Sequence, residues 1–126
     1  MLDTFIIFTS QMQTLAKFYE QGLNLGKPAE SNDLHIGYPL PGGDYLGFDQ
    51  IEGVEPVQAR AGGVTLWFRV ENVAETVERF IQLGAGVRYK HKETPFGEVL
   101  ASLYDLDGNI FGLAQDLRSN SGELKL

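Results

Sequence analysis

The chain has 126 residues, 43% of them apolar, which is enough for one ordinary core and too little for two. It carries no cysteine, excluding disulfides, thiolate metal sites and a cysteine nucleophile; its formal net charge of −7, with ten Lys and Arg scattered among seventeen acids, argues against a phosphate-backbone partner. No apolar run approaches the ~20 residues of a membrane span, and the N-terminus lacks the basic-then-apolar signal pattern, so the expectation is a cytoplasmic protein with no nucleic-acid and no membrane partner.

Thr4 to Thr9 is a short β-branched and aromatic run, the composition of a buried strand. Ser10 stands three residues before Gln13 in a capping-box arrangement. Met12, Ala16, Tyr19 and Leu23 then recur at helical spacing, with Leu15 and Phe18 widening the stripe, and Gly22 is placed to end that helix. Residues 27–33 are polar with one proline and read as a loop or a weak edge strand. Leu34 to Leu40 and Tyr45 to Ile51 form a hairpin around Pro41-Gly42-Gly43-Asp44, and residues 52–63, with Pro56 and Gly62-Gly63, read as a connector.

The order then restarts. Val64 to Val70 reads as a strand, Asn72 with Glu75 as a second capping box, and Val73, Val77, Phe80 and Gly84 fall on one helical stripe that Gly84 terminates. Val87 to Lys92 and Glu98 to Tyr104 read as strands, and the turn Asp105-Leu106-Asp107-Gly108-Asn109 leads into a last strand, Ile110 to Ala114. Residues from Asp116 onward, 116–126, have little apolar content and are expected to form a mobile tail.

Two offsets relate the halves. Shifted by 61, the first helix stripe falls on the second; shifted by 65, Gly43, Leu46, Gly47 and Gln50 fall on Gly108, Phe111, Gly112 and Gln115. Each half therefore reads β-α-β-β-β, giving a single α+β domain over 1–115 built of two modules, 3–51 and 64–115.

Thr4 to Leu25, Thr65 to Ala85, Thr94-Pro95-Phe96-Gly97 and the turn at Asp105 to Asn109 together resemble the vicinal oxygen chelate superfamily, the glyoxalase, bleomycin-resistance and extradiol dioxygenase group. The turn has Leu106 where that group usually has proline. The resemblance implies a cup-shaped mixed sheet with helices outside, and a homodimer. It says little about activity, because the group hosts isomerases, lyases, dioxygenases, thiol transferases and antibiotic binders.

In members with metal chemistry, His, Glu or Gln side chains on the first and last strand of each half meet on a divalent ion. Carried over, those positions are Thr4, Gly47, Thr65 and Gly112, none of them a competent ligand, so no metal and no cofactor is expected. Gly47 and Gly112 either open volume inside the cup or relieve crowding between strands.

Strand alternation sorts the rest. Thr4, Ile6 and Phe8, and Thr65, Trp67 and Arg69, are expected on the cup side; the hairpins add Tyr45 and Asp49, Ile110 and Ala114, then His35, Gly37, Leu100, Ser102 and Tyr104. The expected ligand-contacting set is Phe8, Tyr45, Gly47, Asp49, Trp67, Arg69, Ser102, Tyr104 and Gly112, a surface suited to an aromatic or amphipathic ligand. Alternatively the aromatics fill a collapsed cup, and Arg69 is ion-paired with Asp49 or Glu71. His91, between Lys90 and Lys92, reads as a surface residue. His35 is the one weak candidate for a general base, with no orienting partner evident.

The leading expectation is a metal-free small-molecule-binding protein that sequesters an antibiotic or toxic aromatic compound. The rival is an enzyme: a metal-dependent lyase or dioxygenase with displaced ligands such as His35, Asp49 and Glu98, or a metal-free isomerase using His35. A third possibility is a subunit whose cup is filled by its own side chains and which acts through protein contacts.

Overall fold

The computed structural model describes residues 3–51, 64–95 and 97–117, so the expected connector and the expected tail beyond Leu117 lie outside the described residues. The chain divides into two compact units, Met1–Gln58 and Ala59–Leu126. The first contains β1 (Thr4–Thr9), α1 (Met12–Leu23), β2 (Glu30–Ser31), β3 (His35–Pro39) and β4 (Tyr45–Gln50). The second contains β5 (Leu66–Arg69), α2 (Val73–Gln82), β6 (Gly86–Glu93), β7 (Glu98–Tyr104) and β8 (Ile110–Asp116). Both follow the β-α-β-β-β order expected from the sequence. The polar stretch after α1 contributes the two-residue edge strand β2, and β5 is shorter than expected, leaving Thr65 just outside it.

Each unit holds one mixed four-stranded sheet, ordered β1-β4-β3-β2 and β5-β8-β7-β6. The first strand lies parallel to the last, while the remaining neighbours are antiparallel. A parallel pair needs a long crossover, and the helix with the two intervening strands supplies it. The architecture is α+β.

Alternation decides which face the helix covers. In the first unit Leu46 and Phe48 are fully buried with Leu15 and Tyr19 of α1, and the Tyr19 and Phe48 rings lie 5.5 Å apart. In the second, Phe111, Leu103 and Leu113 are buried with Val73, Val77 and Phe80, and the Phe80 and Phe111 rings meet edge-on at 4.9 Å. Burying one such ring stabilises by about 2 kcal/mol. Tyr38 is buried with them, its hydroxyl donating to Glu20 Oε1 at 2.9 Å; burial first, then that carboxylate, pushes its pKa up.

The helix ends show where local reading fails. The Ser10–Gln13 capping box is not what starts α1: Gln11 occupies the cap position without capping the helix through its side chain, and the Met12 N–H donates to Gln50 Oε1 at 2.9 Å. The second unit repeats this bond, the Val73 N–H donating to Gln115 Oε1 at 2.8 Å. The repeated glutamine is therefore a clasp between the end of the last strand and the helix N-terminus, whose first N–H groups have no partner within the helix. Asn72 does cap α2, accepting from the Glu75 N–H at 3.0 Å. Gly22 does not end α1; it is buried within it, and Asn24 adopts the left-handed conformation (φ 55°) that ends the helix. Gly84 (φ +104°) ends α2 as expected, with the Ala85 N–H donating back to the Phe80 carbonyl.

The turn between β7 and β8 is organised by Asp105, which is buried and accepts from the N–H groups of Asp107 and Asn109 through Oδ1 and from the Asn109 amide through Oδ2. Asp116, where the tail was expected to begin, is still paired with Glu98 in the sheet, and the Leu117 N–H donates to the Gly97 carbonyl. No helix among the described residues is long and apolar enough to cross a membrane.

Candidate functional site

In the first unit β1, β4 and β3 place Ile6, Gly47 and Gly37 abreast, and beside them Phe8, Asp49 and His35. These residues share the sheet face opposite α1. Phe8 is 57% exposed and Ile6 37%. Across this face runs a hydrogen-bonded chain. His35 Nδ1 lies 2.5 Å from Asp49 Oδ1, His35 Nε2 lies 2.6 Å from the Tyr45 hydroxyl, and that hydroxyl also donates to Glu30 Oε1 at 3.0 Å. The His35 and Tyr45 rings are stacked almost parallel. Gly37 makes the arrangement possible, since a Cβ there would collide with the Tyr45 hydroxyl. Burial, then Glu30 by hydrogen bond and charge, then Asp49 raise the Tyr45 pKa above the ordinary phenol value.

The expectation that His35 lacks an orienting partner is therefore corrected: Asp49 is directly opposite it in the ladder and holds one ring nitrogen while Tyr45 holds the other. A carboxylate on one nitrogen and a hydroxyl on the other is an arrangement that can move a proton, because the carboxylate steadies the ring while Nε2 exchanges with the hydroxyl.

In the second unit Trp67, Gly112 and Ser102 lie abreast on β5, β8 and β7. Trp67 is 44% exposed and Tyr104 37%. The indole lies over Gly112, where a Cβ would collide with its six-membered ring. Arg69 pairs with Glu98 at 2.9 Å, not with Asp49 or Glu71 as expected. Half-exposed pairs of this kind contribute about 0–1 kcal/mol. Ser102 is fully buried; its hydroxyl donates to the Phe111 carbonyl at 3.2 Å and accepts from Arg88 Nη1 at 3.0 Å.

Phe8, Tyr45, Gly47 and Asp49 thus share one face in the first unit, and Trp67, Arg69, Ser102, Tyr104 and Gly112 lie together in the second. Sequence reasoning missed Glu30 and Arg88. Glu30 sits on a strand of two residues opposite Gly37, too short to show alternation, and Arg88 lies where the pairing of β6 with β7 shifts register.

The family model described as the glyoxalase/bleomycin resistance protein/dioxygenase superfamily matches residues 1–113. The chain belongs to that superfamily. Solved structures of the superfamily share its fold. A glyoxalase-related enzyme from Fulvimarina pelagi is 20% identical with a TM-score of 0.75, covering 100% of this chain and 97% of its own. A glyoxalase/bleomycin resistance protein/dioxygenase family enzyme from Burkholderia phytofirmans is 21% identical with a TM-score of 0.76, covering 91% and 98%. Lactoylglutathione lyase from Agrobacterium tumefaciens is 15% identical with a TM-score of 0.66, covering 91% and 92%. No curated protein matches the chain.

The residues at positions that the sequence resemblance assigns to metal ligands offer no fit to a divalent ion at Thr4, Gly47 and Gly112. The Thr4 hydroxyl donates to Asp3 Oδ1 at 2.8 Å. The space before Gly47 is taken by Ile6, His35 and Tyr45, and that before Gly112 by Trp67. Among the described residues, no three His, Cys, Asp or Glu side chains are grouped to hold a metal ion.

Proposed function

We propose that this superfamily member binds a small aromatic or amphipathic organic molecule by shape and stacking, without a metal at the duplicated strand positions. Sequestration of an antibiotic or toxic compound is the simplest role for such binding, since it needs tight contact and no chemistry. The observation that supports the reading is that Ile6, His35 and Tyr45 occupy the space before Gly47, and Trp67 that before Gly112, at positions the sequence resemblance assigns to metal ligands. Exposed Phe8 in the first unit, and exposed Trp67 and Tyr104 in the second, give each unit apolar contact area of its own. The test uses Trp67, the single tryptophan, as reporter. Titration with aromatic compounds should quench its fluorescence saturably, equally with and without EDTA. A stoichiometric divalent ion retained through dialysis, with quenching lost in EDTA, defeats the reading; so does the absence of any saturable response, which instead favours a subunit acting through protein contacts.

The Asp49–His35–Tyr45 chain favours a second reading, metal-independent proton transfer. On that reading the phenolic proton turns from Glu30 to His35 Nε2 and passes to it as the Tyr45 oxygen takes a proton from the substrate, Asp49 stabilises the imidazolium, and the reverse relay returns the proton to another atom of the substrate. A bound aromatic compound with a C–H next to a carbonyl should then exchange that proton for deuterium in D2O, detectable by NMR, and His35→Gln should abolish the exchange while leaving binding in place. Such a ligand that saturates the wild-type protein without exchange refutes it. A homodimer in the cytoplasm completes the proposed picture.

A further inference from the structure

Three observations converge on the second unit's open face. Trp67 lies over Gly112 and is 44% exposed, so one face of a rigid aromatic plane is covered by the sheet and part of the ring meets solvent. Directly beside Gly112, the fully buried Ser102 hydroxyl holds Nη1 of Arg88 at 3.0 Å. A buried side chain thus holds the guanidinium of exposed Arg88 on the strand beside the one that the indole covers. Arg88 has no carboxylate partner among the described residues; apart from Ser102 its contact is the Tyr89 ring, 5.7 Å away. Arg69 and Glu98 on the same face neutralise each other. The uncompensated positive charge stands in a chain of net charge −7, where carboxylates outnumber cations. Guanidinium N–H groups not facing Ser102 stay available, in a planar fork that suits a carboxylate or a similar flat anion.

We infer that this face selects a planar anionic ligand, an aromatic carboxylate in its simplest form, with the ring against Trp67 and the anionic group on the Arg88 guanidinium that Ser102 positions. The assignment rests on the small-molecule-binding reading above and narrows it to one charge class. Stacking supplies contact area and the guanidinium supplies discrimination, since a neutral isostere leaves the fork paired only to water.

The test compares trans-cinnamate with trans-cinnamamide, alike in shape and different in charge, by Trp67 fluorescence and by calorimetry on the full chain. Cinnamate should bind about tenfold more tightly, the discrimination expected of one charge-assisted contact, and its advantage should shrink as salt is raised. Arg88→Gln should remove the advantage and leave cinnamamide affinity unchanged, whereas Arg79→Gln, on α2, should preserve it. Arg88 is exposed, so folding of the variant is checked simply by circular dichroism. Equal affinity for the two probes, or an unchanged preference in Arg88→Gln, overturns the assignment while leaving small-molecule binding intact. Failure of both probes to give a saturable signal overturns the assignment and counts against the binding reading as well.

Discussion

Replacing Gly112 by alanine tests whether the indole of Trp67 closes the space before this glycine, a position the sequence resemblance assigns to a metal ligand. A Cβ at residue 112 would run into Cδ2, Cε3 and Cζ3 of that indole, which are ring atoms that cannot bend aside individually. Gly112 is buried and central in its sheet, so the strand cannot move away without breaking pairing to both Trp67 and Ser102. Overpacking of this kind costs about 1–3 kcal/mol, and a glycine-to-alanine change returns about 0.5–1 kcal/mol through the unfolded chain, leaving a net loss of about 1–2 kcal/mol. Urea unfolding followed by circular dichroism should show a midpoint lower by about 1 M. The Trp67 emission should also shift as the ring is displaced. In a Trp67→Ala background the new methyl meets no ring, and the same substitution should cost nothing measurable. Gly47→Ala provides contrast: its Cβ would lie 2.7 Å from Ile6 Cδ1, the movable end of a flexible side chain, and 2.9 Å from His35 Cε1. Its cost should be smaller. If Gly112→Ala leaves midpoint and emission unchanged, or costs as much without Trp67 as with it, the indole does not occupy that space.

Gln50→Ala and Gln115→Ala each remove the acceptor for the first N–H of a helix, and each should lower stability by about 1 kcal/mol in the same denaturation assay, whereas Ser10→Ala should have little effect. Tyr38 and Tyr45 both have folded pKa values raised above the ordinary 10, so their contribution to stability is complete below that pH and is lost as pH rises through the folded values. Spectrophotometric titration should show tyrosines ionising late, and Tyr38→Phe should remove part of the late component and weaken the alkaline destabilisation. Sedimentation at micromolar concentration should show a dimer; a monomer alone contradicts that expectation.

The element order was legible because periodicity and composition are local properties. The apolar alternation of Phe5 and Ile7 marks a strand; Met12, Leu15, Ala16 and Tyr19 mark a helical stripe; and Gly84 marks the end of α2. What escaped was set by pairing across the chain. The acceptor that starts α1 lies 38 residues away on β4, so a capping box in the sequence carried no weight against it. Asn24 replaced the expected Gly22 stop because asparagine tolerates the left-handed conformation that a helix end requires. Arg69 found Glu98, 29 residues distant, and not its neighbour Glu71. His35 found Asp49 through the register of an antiparallel pair, which alternation alone does not fix.

That register also explains how one duplicated scaffold came to carry two unlike faces. The first-strand residue opposite the last-strand glycine is Ile6 in one unit and Trp67, 61 positions on, in the other; each fills the space its glycine leaves. The other positions correspond at an offset of 65, placing Leu100, Ala114 and Ile110 where the first unit has His35, Asp49 and Tyr45. A polar chain in one unit is thus an apolar strip in the other. Gly37 and Ser102 are likewise equivalent, each directly opposite the last-strand glycine, and they decide what reaches the surface. Glycine at 37 leaves room for a phenol to lie across the sheet and bond His35, whereas serine at 102 fills that room and uses its hydroxyl to hold Arg88. Gly37→Ser should therefore expel the Tyr45 hydroxyl and break its bond to His35, and Ser102→Gly should release Arg88 while leaving Trp67 over Gly112. The strand pairing is common to both halves, and the chemistry of each face turns on one small residue.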